Sequence, residues 1–563
     1  VSEGGETGAA GNVLVLLGGD GESRRLSEVA VLATLRHLRL PLLLQEAGVP
    51  LASALAAHPA CIVVAAGALP VLPEAERQEL AAWVQAGGGL VNLDGDHLLP
   101  GLFRPGEPRP VTRAVTPQGR HYCLATRTPG QAVPLIQPLP TPVAELPAGW
   151  QALLEAEDGR PLLMAGSWGA GRVLQWVLPL PVWTFEYLGH GCGLDDLFWR
   201  GIVWAARKPF AAMPMPPFVT VRIDDASGSG SRCHAGPEGA AHLFRYVELL
   251  DRCGYRANIG LFIRDIPEQD HAPLRRWVEA GTAEFSPHAF TEINDVPEHL
   301  IYMTHDGREY SPQELDRNFA EVDAVFARFG VRPAPALNCH YYEMGARAVP
   351  YLLERGGRYV MTEMLAGTTY DDPRARQWFP PPYGHFGYIL GPLPGHEELF
   401  DCLSQYNGPQ GKDAGSSDAL HGHTVFAHEA AGNDPEGAGR KAAAMIARGL
   451  DNMVFGVLMT HEQRIASLTL GQWEQVLAVA NAGLAAYERL PLRYSEVCRY
   501  AQRWYGAHLE AVAVKPGRLE CTFQARERAN LMLSVFTEKD GEISRHLLPV
   551  HVGGREPVVV ELP

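Results

Sequence analysis

The chain has 563 residues, of which 46% are hydrophobic and 20% charged, a balance that supports packed cores and does not favour disorder. Its 48 basic and 64 acidic side chains leave a net charge of −16, which argues against nucleic acid or an anionic membrane as the main partner. No apolar run reaches the roughly 18–20 residues that a membrane span needs.

At about 150 residues per domain, this length suggests three or four domains. Nothing at the N-terminus reads as a signal peptide. The chain starts at Val1, so an extracellular or periplasmic location is favoured if a leader was removed. The nine cysteines form no Cys-x-x-Cys pair, so a cysteine zinc site is not expected. Cys233 and Cys253 are close enough in sequence to be a disulfide candidate.

Residues 1–11 read as a flexible leader. Val13–Leu17 is an apolar run ending in Gly18-Gly19-Asp20, as expected of a buried parallel strand feeding a loop. Residues 27–48 suggest a helix passing into a strand, and 61–66 the next strand. Pro73 followed by Glu74 and Glu76 marks the start of a helix that Gly87-Gly88-Gly89 ends, and Leu90–Leu93 follows as a strand. This alternation predicts an open α/β sheet. Residues 107–180 read as strands, 193–207 as a helix, and the Pro-rich 211–217 as a domain boundary.

Beyond it, apolar runs recur at 218–223, 257–263, 283–287, 334–339, 358–362, 424–427 and 454–459. Helical patterns lie between many of them, at 239–253, 312–329, 345–355 and 437–450. About seven strands with intervening helices suggest an incomplete α/β barrel. Residues 365–420 form a long Pro/Gly/aromatic insertion without clear periodicity, and a helix follows at 471–488. Alternating runs at 509–514, 518–523, 530–536 and 557–562 suggest a small β-sandwich. The expected domains are thus an α/β domain at 12–210, a barrel at 218–505 and a C-terminal β-sandwich at 508–563.

Histidine is concentrated in the barrel region, where 224–461 holds 13 of the 21. In a barrel of parallel strands, reactive groups sit at the C-terminal strand ends, and several polar groups fall there. Val219–Ile223 ends in Asp224-Asp225; adjacent strand residues point to opposite sides, so one carboxylate suits a metal and the other a neighbouring water. A bare Asp-Asp pair is otherwise an N-cap or turn. His288 and Glu292 are four apart and share a face if the segment turns helical, which suits a divalent metal; an isolated surface pair is the alternative. Asn338-Cys339-His340-Tyr341-Tyr342 and Val454–His461 each deliver a histidine at a strand end, in a structural or a functional role. His421-Gly422-His423 puts two rings on one face if it lies on a strand.

The order Asp-Asp, His-x-x-x-carboxylate, His, late His resembles the metal-dependent polysaccharide deacetylases. That family carries Thr-Phe-Asp-Asp, then His-Thr-x-x-His, then a late Leu-x-His, on a distorted (β/α)7 barrel. Val221–Asp225, Ser286–Glu292 and Leu458–His461 match these motifs, with Glu292 where the family usually has its second metal histidine. Asn338–Tyr342, His423–Phe426 and Phe455–His461 more narrowly resemble the N-deacetylase part of heparan sulfate N-deacetylase/N-sulfotransferases. They are also similar to the fungal galactosaminogalactan deacetylases of carbohydrate esterase family 18. The N-terminal part resembles the flavodoxin-like α/β fold of class I glutamine-amidotransferase-like or ThuA-like domains. Ala65-Ala66-Gly67-Ala68 stands where that fold would want a nucleophilic cysteine, which implies a non-catalytic accessory domain.

The resemblance implies hydrolysis of N-acetyl groups from the N-acetylhexosamine units of a polysaccharide. Asp225, His288 and Glu292 would hold a divalent metal, zinc foremost, with a position left open for water. Asp224 would be the general base and His461 the acid that protonates the leaving amine. His340 and His423 would contact substrate or stand in for Glu292, while Tyr341, Tyr342, Trp378, Tyr383 and Tyr406 could stack on sugar rings. No sulfotransferase phosphate loop appears. Two other classes are a glycoside hydrolase using Asp225 and Glu292, and a carbohydrate-binding protein with a degenerate site.

Overall fold

The computed structural model describes residues 11–563 apart from 20, 185, 233–238, 293–298, 305, 341–343, 366–389, 394, 408–417, 426–431 and 555–556. The protein has a mixed α/β fold. The chain divides into two compact units, one made of Val1–Pro216 with Gly506–Pro563 and the other of Pro217–Tyr505.

The first unit is built on β1 (Val13–Leu17), β2 (Leu42–Glu46), β3 (Cys61–Val64), β4 (Gly89–Asn92), β5 (Gly106–Val115), β6 (Ala132–Val143), β7 (Gln151–Ala156), β8 (Pro161–Trp168) and β9 (Gly171–Trp176). They form one sheet in the order β2-β1-β3-β4-β9-β8-β7-β5-β6. The first five strands in that order are parallel, and the pairings from β9 to β6 are antiparallel. Val13–Leu17 is wholly buried, as an apolar run covered on both sheet faces must be. The helix Glu74–Gln85 starts after Pro73, carries Glu74 and Glu76 in its first turn, and buries Leu80 and Val84. β10 (Phe210–Ala212) leaves this region and pairs with a strand from the C-terminal segment.

In the second unit, β11 (Phe218–Ala226), β12 (Ala257–Phe262) and β13 (Ala283–Ala289) are parallel neighbours. β14 (Ala336–Leu337), β15 (Tyr359–Leu365), β16 (Leu390–Leu393) and β17 (His396–Asn407) form a second sheet in the order β14-β15-β17-β16. β18 (Gly456–His461) lies parallel to β11 on its other side, and β19 (Leu490–Pro491) adds a short pairing to β11. The two sheets meet beside β13, where Ala334 N donates to Phe285 O (2.7 Å) and Ser286 Oγ to Ala336 O (2.7 Å).

Helices with strong end signals cover these strands. Pro312–Phe329 begins with a Ser311/Glu314 capping box and Pro312 in its first turn, and ends at Gly330 with φ +72°. Pro435–Asp451 is capped by Asp434. The apolar stripes of both helices join one core with β11, β12 and β13. No helix among the described residues is long and apolar enough to cross a membrane.

Of the strand expected at 424–427, residues 426–427 lie outside the described residues and Thr424 and Val425 are not in a strand. Residues 421–424 form a turn, and the strand beside β15 is β17, inside the stretch expected to be an insertion. The turn is tied by Asp434 N donating to His423 O (2.7 Å) and Val425 N to Asn433 Oδ1 (2.9 Å). These bonds spend on a helix start the backbone groups that a strand would need.

The C-terminal segment contains β20 (Ala507–Lys515), β21 (Arg518–Ala525), β22 (Ala529–Lys539), β23 (Glu542–Val552) and β24 (Val558–Glu561). They make two antiparallel three-stranded sheets, β20-β21-β24 and β10-β22-β23.

Candidate metal centre

β11 delivers two carboxylates with different surroundings. Arg222 and Asp224 are two apart and therefore share a strand face. The buried guanidinium clamps Asp224 through Nε to Oδ1 (2.8 Å) and a second nitrogen to Oδ2 (2.6 Å). Asn338 Nδ2 adds a third hydrogen bond to Asp224 Oδ1 (2.7 Å). Burial pushes the Asp224 pKa up, but the Arg222 charge outweighs it, so the net shift is downward and Asp224 stays ionised.

Asp225 breaks the alternation. The register between β11 and β12 shifts between Ile223 and Ala226, and Asp225 has φ +57°. Such a bulge re-aims a side chain, and aspartate is among the few non-glycine residues that tolerate the left-handed region. The bend points the Asp225 carboxylate at two histidines.

His288, in β13, and His340, just beyond β14, complete the group. His288 Nε2 lies 3.0 Å from Asp225 Oδ1, and His340 Nδ1 lies 3.1 Å from the same oxygen. The two imidazole nitrogens are 2.8 Å apart. All three residues are buried. His288 Nδ1 donates to Asn338 O (2.7 Å), which fixes the ring with Nε2 turned toward the other two donor atoms. Gly260 on β12 makes room for this arrangement: a Cβ there would stand 2.8 Å from His288 Nδ1 and 2.9 Å from Asn338 Nδ2.

The group has the donor types and spacing of a metal site. A tetrahedral ion with bonds of about 2.0–2.1 Å holds its ligands roughly 3.3 Å apart, close to the sides of this triangle. Burial raises the Asp225 pKa, but His340 and His288 outweigh it and hold it well below the carboxylate range, so an anionic ligand faces the two rings. Burial lowers the His340 pKa against the pull of Asp225, which favours the neutral imidazole that a metal requires. Phe262 packs beside both rings and His299 beside His340, closing the floor of the centre.

Glu292 stands outside this group. β13 stays extended through Ala289, so the helical spacing that would pair positions 288 and 292 does not form. Thr291 Oγ1 and the Glu292 backbone N bond to the Asp265 carboxylate. The Glu292 carboxylate accepts from Arg232 N (3.3 Å) and Gln463 Nε2 (3.1 Å). The third donor beside Asp225 and His288 is therefore His340.

His461 ends β18 beside the centre, with Nε2 4.0 Å from Asp225 Oδ2. Its Nδ1 is 2.6 Å from Asp418 Oδ2. Asp418 is fully buried and fixed by Thr460 Oγ1, Leu420 N and Arg464 Nε. Burial lowers the His461 pKa, but the hydrogen bond to Asp418 and the Asp225 charge outweigh it and lift it to about 9. The raised pKa favours the imidazolium near neutral pH, and about a third of the side chain is exposed.

His423 belongs to the turn before Pro435–Asp451, with Nδ1 3.2 Å from Asp434 Oδ2, and is not part of the Asp225 group. Tyr341, Tyr342, Trp378 and Tyr383 lie outside the described residues, as does Cys233, and Tyr406 falls in β17. Sequence reasoning missed Arg222 and Asp418. Arg222 was signalled by its two-residue spacing from Asp224. Asp418 had no periodic signal around it.

Glu462 follows His461 and supports the β11 end from behind. Its Oε1 accepts from Ser227 N (2.7 Å) and Gly228 N (2.6 Å), and its Oε2 from Tyr246 Oη (2.7 Å). Burial pushes its pKa from 4.5 to about 8, against these three hydrogen bonds. Between those values the folded chain keeps a proton that the unfolded chain releases, so this group makes stability fall as pH rises through the window. Glu462→Gln keeps the shape and is expected to remove that slope in denaturant midpoints measured from about pH 5 to 8. Parallel wild-type and variant curves would contradict this.

No protein-family profile matches the chain, and no curated protein sequence matches it. Many solved structures show weak likeness, and three of them serve as examples. The "putative polysaccharide deacetylase from Mycobacterium smegmatis" is 14% identical over 52% of this chain and 95% of its own, with a TM-score of 0.31. A cytoplasmic protein of Salmonella typhimurium LT2 is 17% identical over 35% of this chain and 100% of its own, with a TM-score of 0.26. An exo-β-1,4-mannosidase of Opitutaceae bacterium strain TAV5 is 17% identical over 35% of this chain and 36% of its own, with a TM-score of 0.23.

Proposed function

We propose that the protein is a metal-dependent deacetylase that hydrolyses N-acetyl groups on the amino-sugar units of a polysaccharide. The observation that carries this reading is the buried Asp225–His288–His340 triangle with His461, held by Asp418, beside it. A divalent cation bound there supplies Lewis acidity toward water and an acyl oxygen, with zinc the best match to two imidazoles and a carboxylate. Asp224, kept ionised and oriented by Arg222, accepts the proton of the attacking water. His461 gives its Nε2 proton to the departing amine nitrogen, and Asp418 on Nδ1 fixes the ring and stabilises its charge. The acidic chain favours a neutral or cationic glycan over a heavily sulfated one.

We read β11, β12, β13, β14, β15, β17 and β18 as the seven strands of one distorted barrel, with the centre at their C-terminal ends. The N-terminal α/β part is read as an accessory domain. At the end of β3 the position of a nucleophile elbow is held by Gly67, at φ +65°, whose N donates to Asp94 Oδ2 (2.7 Å). The turn is present without a nucleophilic side chain.

The test measures metal content and acetate release together, on polymers of partly N-acetylated glucosamine and galactosamine. The expected result is about one metal per chain and acetate release that a chelator stops. Metal-independent cleavage of the glycan chain, or sugar binding without turnover on every polymer, would overturn the reading.

A further inference from the structure

The first unit carries a pocket of about 250 Å³ between the helix Glu74–Gln85 and residues Leu99–Gly101. Its floor is apolar, with Leu69 and Leu99 both buried. The indole of Trp168 forms one wall, half-buried. Glu74, Arg77 and Gln78 supply a polar rim from successive turns of the helix.

Two properties of the lining narrow the ligand. Its charges are already paired, Arg77 to Glu74 at 3.1 Å, and Gln78 Nε2 also donates to Glu74 (3.2 Å). An ionic ligand would have to displace this pair. Arg77 is about a third exposed at the rim, so its guanidinium stays within reach of a ligand hydroxyl while paired to Glu74. The volume is below the roughly 300–1,000 Å³ typical of drug-sized ligands, which suits a single ring.

We infer that this pocket binds one neutral hexopyranose ring, as a carbohydrate site separate from the metal centre. A pyranose has an apolar C–H face and a hydroxyl edge. The indole and the leucines match the face, and the Arg77–Glu74–Gln78 rim matches the edge with donors and acceptors. Resting on the proposed deacetylase reading, the site would let the N-terminal unit hold the same kind of glycan.

The experiment titrates the full-length chain with methyl β-glucopyranoside, which has no acetyl group, and with glucose 6-phosphate as the charged counterpart. Both are followed by ligand-observed NMR and calorimetry. The neutral sugar is expected to bind saturably, and Trp168→Ala and Arg77→Leu are each expected to weaken it about tenfold or more. An Asp225→Asn chain is expected to bind it as wild type does, which separates this pocket from the metal centre. Arg77 is on the rim, so Arg77→Leu stays informative if Trp168→Ala fails to fold. No saturable binding of the neutral sugar, unchanged affinity in Arg77→Leu, or tighter binding of the phosphate would each overturn the assignment.

Discussion

His340→Ala is expected to empty the metal centre, whereas Glu292→Gln is expected to leave it filled. His340 Nδ1 stands within 3.1 Å of both other donor atoms, while Glu292 is bonded to Arg232 and Gln463. Loss of an outer-shell partner costs a metal site about 10–100-fold in affinity, and removal of one of three ligands should cost more. Acetate release should fall by about 10³-fold or more with the metal. Elemental analysis and acetate assays on the two variants, beside Asp225→Asn as a control for the empty centre, decide it. Metal retained in His340→Ala and lost in Glu292→Gln would show that the third ligand is the carboxylate, brought in by a rearrangement of the loop after β13.

Asp418→Asn carries the second large effect. The substitution keeps the shape around Thr460, Leu420 and Arg464 but removes the anion that holds His461. Turnover is expected to fall by about 10²–10⁴-fold with little change in KM, because the group acts on proton donation rather than on binding. The pH profile should move as well. An acid works only while protonated, so activity is lost as pH rises through its pKa. Without Asp418 that loss should occur at lower pH than in the wild type, since the anion is a main cause of the upward shift to about 9. An unchanged alkaline limb together with a lower rate would assign Asp418 to folding alone.

These residues differ in how legibly the sequence marks them. Asp224, Asp225, His288 and His461 each end an apolar run, and in the structure each lies within or at the end of a strand. Polar residues at strand ends are readable because little else explains an abrupt change from apolar to ionisable. Glu292 misled for a physical reason: the four-residue spacing is meaningful only on a helix, and hydrogen bonds to Asp265 hold the segment otherwise. His340 was visible as a strand-end histidine, but its pairing with His288 depends on two segments 52 residues apart meeting through the sheet. Asp418 lay beyond reach, in a stretch rich in Gly and Ser with no period to place it. The start of the strand expected at 424–427 was hidden in the same way, because apolar alternation cannot reveal that Asn433 and Asp434 claim the backbone at 423–425.

The left-handed backbone at Asp225 also bears on how such a centre could be lost. A residue with a Cβ in this conformation carries strain that glycine would relieve, and asparagine tolerates it about as well as aspartate does. As far as the backbone is concerned, position 225 could therefore drift to Gly or Asn, and the demand for an anionic partner to His288 and His340 opposes that drift. In a lineage descended from this chain, the identity of that one residue would distinguish copies still under selection for chemistry from copies retained for binding. It would do so earlier than the two histidines, whose burial ties them to packing as well.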